Sequence, residues 1–176
     1  MTRSLSCFCL FLFCWNLHPA PLQADEPKLL DDQFVLPSGF HIYRAASKDL
    51  TGGSYDLTFD GQGRLLVGDG NAVRRLSDTN RDGSYDTFEV IADGKPTAGR
   101  GPQGLLVYGD SLYVVAGDGV QWFSGYQSDG KLKFEKRLGA NFNTGGDHAA
   151  HTVLRGIDSH VYLVTGDGGG TSGRKQ

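Results

Sequence analysis

The chain has 176 residues, and its 17 basic residues are outnumbered by 20 acidic ones, so the net charge is −3. This balance, without a cluster of basic residues, excludes nucleic acid and an anionic membrane surface as expected partners. The 26 glycines and the lack of any sustained i, i+3, i+4 spacing of apolar residues argue against a helical protein.

The first 24 residues are typical of a secretory signal. Arg3 precedes the apolar run SLSCFCLFLFCWNL, and the segment ends in a small residue, Ala24, before the acidic Asp25. The run is too short to span a membrane as a helix. We therefore predict a signal peptide over residues 1–24, a linker over 25–33, and an exported protein, periplasmic or extracellular, with no membrane span in the mature chain.

All the cysteines, Cys7, Cys9 and Cys14, fall within this segment, so the mature chain has no thiol for a disulfide, a redox motif or a zinc site. Retention as a lipid anchor through Cys14 is the alternative to cleavage. It is disfavoured because Phe13 stands where a small residue is expected.

The tripeptide Gly-Asp-Gly recurs with a step of 49 residues, beginning at Gly68, Gly117 and Gly166. A short apolar run precedes each copy (RLLV, LYVVA and VYLVT), and a turn precedes each run (DGQG, YGDS and GIDS). Short runs rich in Leu, Val, Tyr and Phe between Asp-Gly turns predict an all-β protein.

Repeats of this length built from short strands are typical of a β-propeller, in which each repeat is one four-stranded blade. The runs VRRLS and FEVIAD, and then VQWFSG and LKFEKRL, supply the further strands. We predict that residues 34–176 form about three blades, an N-terminal fragment of a propeller, since closure needs about four to eight blades. The alternatives are a β-sandwich with Asp-Gly hairpins and partial blades completed by a partner.

An Asp-rich loop, DTNRDGSYDTFE, fits the pattern of a calcium-binding loop. The residues that we predict to bind Ca²⁺, with Ser84 acting through its carbonyl, are Asp78, Asn80, Asp82, Ser84, Asp86 and Glu89. The flanking runs resemble strands rather than helices, so an EF-hand domain is not expected. The alternative is a solvated Asp-Gly hairpin without metal.

The segment GDHAAHTVLRGIDSHVYLVTGD places His148 and His151 three residues apart, beside Asp147. In an extended chain such residues point to opposite sides, and no nearby cysteine or glutamate completes a zinc site. A metal pair is therefore disfavoured, and an ordinary loop histidine is the alternative.

The same segment, with its Asp-His pair, turn, strand and Gly-Asp, resembles the soluble quinoprotein glucose/sorbosone dehydrogenase family of six-bladed propellers. The resemblance implies pyrroloquinoline quinone and calcium as cofactors and a sugar or alcohol as substrate. It also implies that His148 is the general base, with Asp147 orienting it, and that Gln103 of GPQGLLVYGDSLYV faces the cofactor.

The chain resembles still more closely the exported "membrane-bound dehydrogenase"-type propellers of planctomycete-like bacteria. This resemblance rests on the segments GPQGLLVYGDSLYVV and GDHAAH and on the Asp-rich loop. Those proteins often carry a haem-binding region, which implies a cytochrome c as electron acceptor. His151 stands where sugar dehydrogenases usually have glycine, which leaves the substrate open.

The sequence thus predicts the N-terminal part of an exported dehydrogenase-like propeller, and the fragment by itself is expected to be inactive. A propeller that binds carbohydrate or protein without redox chemistry is the alternative, because a fold does not fix a function. A calcium-dependent propeller hydrolase is a third, disfavoured because no set of carboxylates and Asn converges outside the Asp-rich loop.

Overall fold

The computed structural model describes residues 30–93, 101–117, 119–139 and 149–166. The predicted signal peptide and most of the predicted linker lie outside the described residues. Within those ranges, helix is confined to a 3-10 turn at Asp31–Gln33 and one short α-helix, α1, at Lys48–Thr51. Among the described residues, no helix is long and apolar enough to cross a membrane. The prediction of an all-β chain is confirmed.

The described residues form ten strands, arranged as two four-stranded antiparallel sheets and one hairpin, and within each of these consecutive strands pair with one another. Blade 1 contains β1 Asp56–Phe59, β2 Leu65–Gly68, β3 Ala72–Ser77 and β4 Thr87–Asp93. Blade 2 contains β5 Gly104–Tyr108, β6 Ser111–Ala116, β7 Gly119–Tyr126 and β8 Leu132–Leu138. Blade 3 is described as the hairpin of β9 Ala150–Arg155 and β10 Val161–Thr165.

Each apolar run that the sequence analysis assigned to a strand is a strand. Each of the three Gly-Asp-Gly tripeptides begins where the second strand of its blade ends. The first of these turns has a local cause. Gly70 has φ 89°, a conformation that L side chains rarely adopt. The Asp69 carboxylate accepts the backbone N–H groups of Asn71 and Ala72, which closes the turn into β3.

The blades share an inner side, which is formed by the first strand of each blade. The first strands of successive blades lie against one another, β1 beside β5 and β5 beside β9, while the last strands β4 and β8 meet at the opposite edge. Inner first strands and outer last strands are the arrangement of a propeller, in which neighbouring blades cover one another's faces. The predicted β-propeller with blades of about 49 residues is confirmed.

Apolar side chains fill the space between blades. Blade 1 contributes Leu66, Val73 and Ile91, and blade 2 contributes Leu105, Leu112, Val114 and Phe123. A second cluster joins Val115 and Val120 of blade 2 to Ala150 and Val153 of blade 3. Burying a side chain of this size stabilises the fold by about 1.5–3 kcal/mol, so the two clusters hold the blades in place.

Strand direction gives the blades two distinct ends. At the upper end, as we name it, β1, β5 and β9 begin and the Gly68 turn lies. At the lower end lie the β1–β2 turn, the β5–β6 turn and the loop between β3 and β4. A predicted site residue within the described ranges can therefore be assigned to one end or the other.

Candidate functional site at the upper end

Blades 1 and 2 are joined at the upper end by a partly buried carboxylate, that of Asp56. Asp56, the first residue of β1, accepts the backbone N–H of Leu105 at 2.6 Å through Oδ2 and its neighbour Leu57 N–H at 2.8 Å through Oδ1. Burial raises the pKa of Asp56 above its ordinary 3.8, and the hydrogen bonds from Leu105 and Leu57 offset part of that rise. Burial thus destabilises the ionised form of this carboxyl at the upper end.

Gln103 lies two residues before that contact, just ahead of β5. Its backbone N–H donates to the Val115 carbonyl at 2.9 Å, which fixes the residue against β6. The residue is only 4% exposed, and Oε1 is buried with no hydrogen-bond partner in the described part of the chain. Burying an acceptor without a donor destabilises the folded state by about 1–3 kcal/mol. Such an acceptor in a native protein therefore requires a physical explanation.

The backbone of blade 3 lies close to the segment that carries Gln103. A Cβ built on Gly104 would lie 2.0 Å from the carbonyl oxygen of His151, so only glycine fits between β5 and β9. Beside it, a Cβ on Gly101 would lie 1.8 Å from the carbonyl oxygen of Gly70. Both glycines allow the segment that carries Gln103 to pass between three blades.

The predicted catalytic residues, His148 and Asp147, lie outside the described residues. The residue that follows them, Ala149, is described. It is buried, and its carbonyl accepts the backbone N–H of Gly166. Because β9 begins at Ala150, the described chain nearest to His148 lies at the same end of the blades as Gln103.

The predicted calcium loop lies at the lower end, between β3 and β4, and its flanks are strands as expected. The Asp78 carboxylate accepts the backbone N–H groups of Arg81 at 2.6 Å, Asp82 at 3.2 Å and Gly83 at 2.9 Å. The Asn80 amide donates to Asp82 Oδ2 at 3.0 Å. These bonds hold the turn, and Gly83 takes the left-handed φ of 85° that the turn requires.

The remaining predicted ligands are spread more widely. The backbone N–H of Ser84 donates to Asp82 Oδ1 at 2.7 Å, and its hydroxyl donates to the Arg44 carbonyl. The Thr79 hydroxyl donates to Asp86 at 2.6 Å and lowers the pKa of that carboxyl. Glu89 lies within β4 and is paired with Arg75 across the sheet.

The described part of the chain gathers no three His, Cys, Asp or Glu side chains in a group that could hold a metal ion. The loop and Gln103 are at opposite ends of the blades, so an ion in the loop would act on the fold rather than on chemistry at the upper end.

Sequence reasoning missed Asp56. Asp56 lies 12 residues before Gly68, and Leu105 lies 12 before Gly117. The strand registers differ, however, because Asp56 pairs with Gly68 whereas Leu105 pairs with Val114. The 49-residue repeat therefore does not identify the contact between Asp56 and Leu105, which forms only when blade 1 packs on blade 2.

A protein-family model described as "Domain of unknown function (DUF7133)" matches residues 26–176. A search of curated proteins finds no match. Two solved structures of the Carbohydrate-Active Enzymes Family AA12 from Trichoderma reesei share the fold. The calcium structure has a TM-score of 0.55 and 25% identity over 80% of this chain, and the iodide structure has 0.54 and 24% over 79%. In both cases the match spans 34% of the solved chain.

Proposed function

The chain belongs to the DUF7133 family, and on that premise we propose that it is part of a quinoprotein-type oxidoreductase whose cofactor lies at the upper end of the blades. The likeness to the AA12 structures supports an oxidoreductase of this type, and the sequence resemblance points to the same class. The observation that carries the proposal is the buried amide oxygen of Gln103, which has no donor among the described residues.

An orphaned acceptor fits a bound group that brings its own hydrogen-bond donor or an ordered water. Pyrroloquinoline quinone, when bound, would supply the two-electron acceptor that no amino-acid side chain provides. Gln103 would hold one edge of it, with the amide oriented by the backbone bond to Val115. The close backbone packing at Gly104 would exclude water from that side.

His148 is the proton acceptor in this proposal, and Asp147 orients its ring. A neutral imidazole has an ordinary pKa of about 6.5 and can take a hydroxyl proton from an alcohol near neutral pH. Substrates are proposed to be sugars or alcohols, with a cytochrome c as electron acceptor. Export through residues 1–24 is part of the same proposal, and N-terminal sequencing of the secreted protein would test it.

Calcium is proposed as a structural ion in the loop that begins at Asp78. Carboxylate, amide and carbonyl oxygens are the ligands that Ca²⁺ prefers. Because Glu89 is paired with Arg75, it would have to leave that partner to complete the site. The calcium of the AA12 calcium structure belongs to that protein and lends the idea only general support.

The proposal is tested by measuring binding of pyrroloquinoline quinone to the full-length protein through quenching of tryptophan fluorescence. Gln103→Met keeps the length of the side chain and removes the amide. Gln121→Met is the matched control, because Gln121 is buried to the same 4% exposure on β7. Weaker binding by Gln103→Met alone supports the proposal, and equal binding by all three proteins argues against it.

A further inference from the structure

A second concave site lies at the lower end, between blades 1 and 2. It is a cavity of about 510 Å³, within the range of small-molecule sites. Its floor is the apolar set Leu66, Val107, Leu112 and Leu132. Every residue that lines it is described, and both blades that form it are complete four-stranded sheets.

The rim is polar and is fixed by contacts between the blades. The Arg64 guanidinium is held by Asp60, with Nε 2.7 Å from Oδ2, and it reaches the Tyr126 hydroxyl of blade 2 at 3.4 Å. Burial raises the pKa of Asp60, but the bonds from Arg64 outweigh that effect, and the pKa lies below its ordinary value. The pair is therefore charged and preorganised at neutral pH.

An aromatic ring forms one wall. Tyr126 follows Gly125, whose φ of 54° accompanies a β-bulge in β7 that shifts the register at this point. The ring remains 49% exposed, although the Arg64 and Arg75 guanidinium groups lie 5.9 and 5.1 Å from its centre. An exposed phenol beside an apolar floor offers a stacking surface with a polar edge.

From this arrangement we infer that the cavity binds an uncharged, hydroxyl-bearing ring, such as one pyranose unit of a glycan. The apolar floor and Tyr126 match the C–H face of such a ring. The rim offers a carboxylate acceptor at Asp110 and donors at Arg64, which together suit hydroxyl groups. The Asp60 carboxylate already accepts the backbone N–H groups of Gln62 and Arg64 and the Arg64 Nε–H, so its role is to orient that guanidinium.

Other ligand classes fit less well. The lining has two carboxylates, Asp60 and Asp110, and one guanidinium, Arg64, so it has no surplus positive charge for an anion. A wholly apolar ligand would strip water from the Asp60–Arg64 pair without replacing its hydrogen bonds, which is costly. The site lies at the opposite end of the strands from Gln103 and does not depend on the proposed redox function.

The test uses the ¹⁵N-labelled chain and methyl β-D-glucopyranoside, titrated to about 50 mM, above the roughly millimolar Kd expected of a single-sugar pocket. We expect saturable shifts of the Gly109 and Gly125 amide signals, both of which line the cavity. Tyr126→Ala should raise Kd about two- to tenfold, as expected for loss of an aromatic contact. Asp110→Asn, at an exposed position, should weaken binding while leaving the fold intact.

Tyr43→Ala is the matched control, because Tyr43 is 48% exposed and does not line the cavity. The inference is overturned if the sugar shifts neither amide, or if Tyr126→Ala and Asp110→Asn bind as the wild type does. Tighter binding of methyl β-D-glucuronide or of cyclohexylmethanol would also overturn it, because the first is an anion and the second is almost wholly apolar.

Discussion

The Asp56 carboxylate of blade 1 accepts the backbone N–H of Leu105, the second residue of β5 in blade 2, at 2.6 Å. The bond joins two inner strands that are 49 residues apart in the chain. It ties β1 to the start of β5, two residues after Gln103. The upper end is therefore fixed by a polar contact as well as by the apolar core between the blades.

This contact predicts a pH dependence of stability. Burial raises the pKa of Asp56 in the folded protein, so folding favours the protonated carboxyl. Its contribution to the free energy of unfolding is fully present below the ordinary pKa of 3.8 and is lost as pH rises through the higher folded value. The wild type should therefore lose Tm relative to Asp56→Asn as pH rises from about 3 through that window.

Thermal melting across this pH range checks the prediction, with Asp32→Asn as a control at an exposed carboxyl. A wild-type Tm that gains on Asp56→Asn with rising pH would show that the hydrogen bonds from Leu105 and Leu57 outweigh burial.

We expect the substitution Gln103→Met to change stability and cofactor binding in opposite directions. Gln103→Met removes a buried acceptor for which the described residues supply no donor, so the free energy of unfolding of the ligand-free protein should rise by about 1 kcal/mol. Urea denaturation measures this, and Gln121→Met should give no such gain. A Gln103→Met protein that is less stable than the wild type would mean that Oε1 has a donor in solution.

The close approach of blades 2 and 3 at Gly104 leaves no room for a side chain at this position. The methyl group of Gly104→Ala would lie 2.0 Å from the His151 carbonyl oxygen, so β9 must shift, at a cost of about 1–3 kcal/mol. Gly61→Ala is the control, because a Cβ there meets nothing within 4 Å. Denaturation midpoints compare the two variants, and equal midpoints would refute the close approach of β5 and β9.

The Asp-rich loop predicts a stabilising effect of calcium. Ca²⁺ should raise Tm, a chelator should reverse the rise, and Asp78→Asn should abolish it, since ligand binding to the folded state alone stabilises that state. Asp129→Asn, in the Asp-Gly turn between β7 and β8, should leave the rise unchanged. No rise in the wild type would leave the loop as a turn held by its own hydrogen bonds.

The fold was predictable because its signals are local and repeated. Each Gly-Asp-Gly tripeptide and each short apolar run depends on turn geometry and strand preference, which neighbouring residues determine. The Asp56–Leu105 bond and the Arg64–Tyr126 contact were not predictable in this way. They join residues 49 and 62 positions apart, and only the packing of one blade on the next brings them together.

The candidate site was predictable in part. Resemblance singled out Gln103, and the structure adds that its amide oxygen is buried with no donor within the described ranges, which no pattern in the sequence reveals. The loop at Asp78 was recognisable from its spacing, whereas its place at the lower end follows only from strand direction. Glu89 fits the sequence pattern, yet its position in β4 gives it Arg75 as a partner.

The most direct test of the central claim is dye reduction by the full-length protein, reconstituted with pyrroloquinoline quinone and calcium and supplied with sugars and alcohols. If the upper end carries quinone-dependent dehydrogenase chemistry, the wild type reduces the dye and His148→Ala loses that activity while still binding the cofactor. A wild type whose rate does not exceed that of His148→Ala with any substrate would contradict the account.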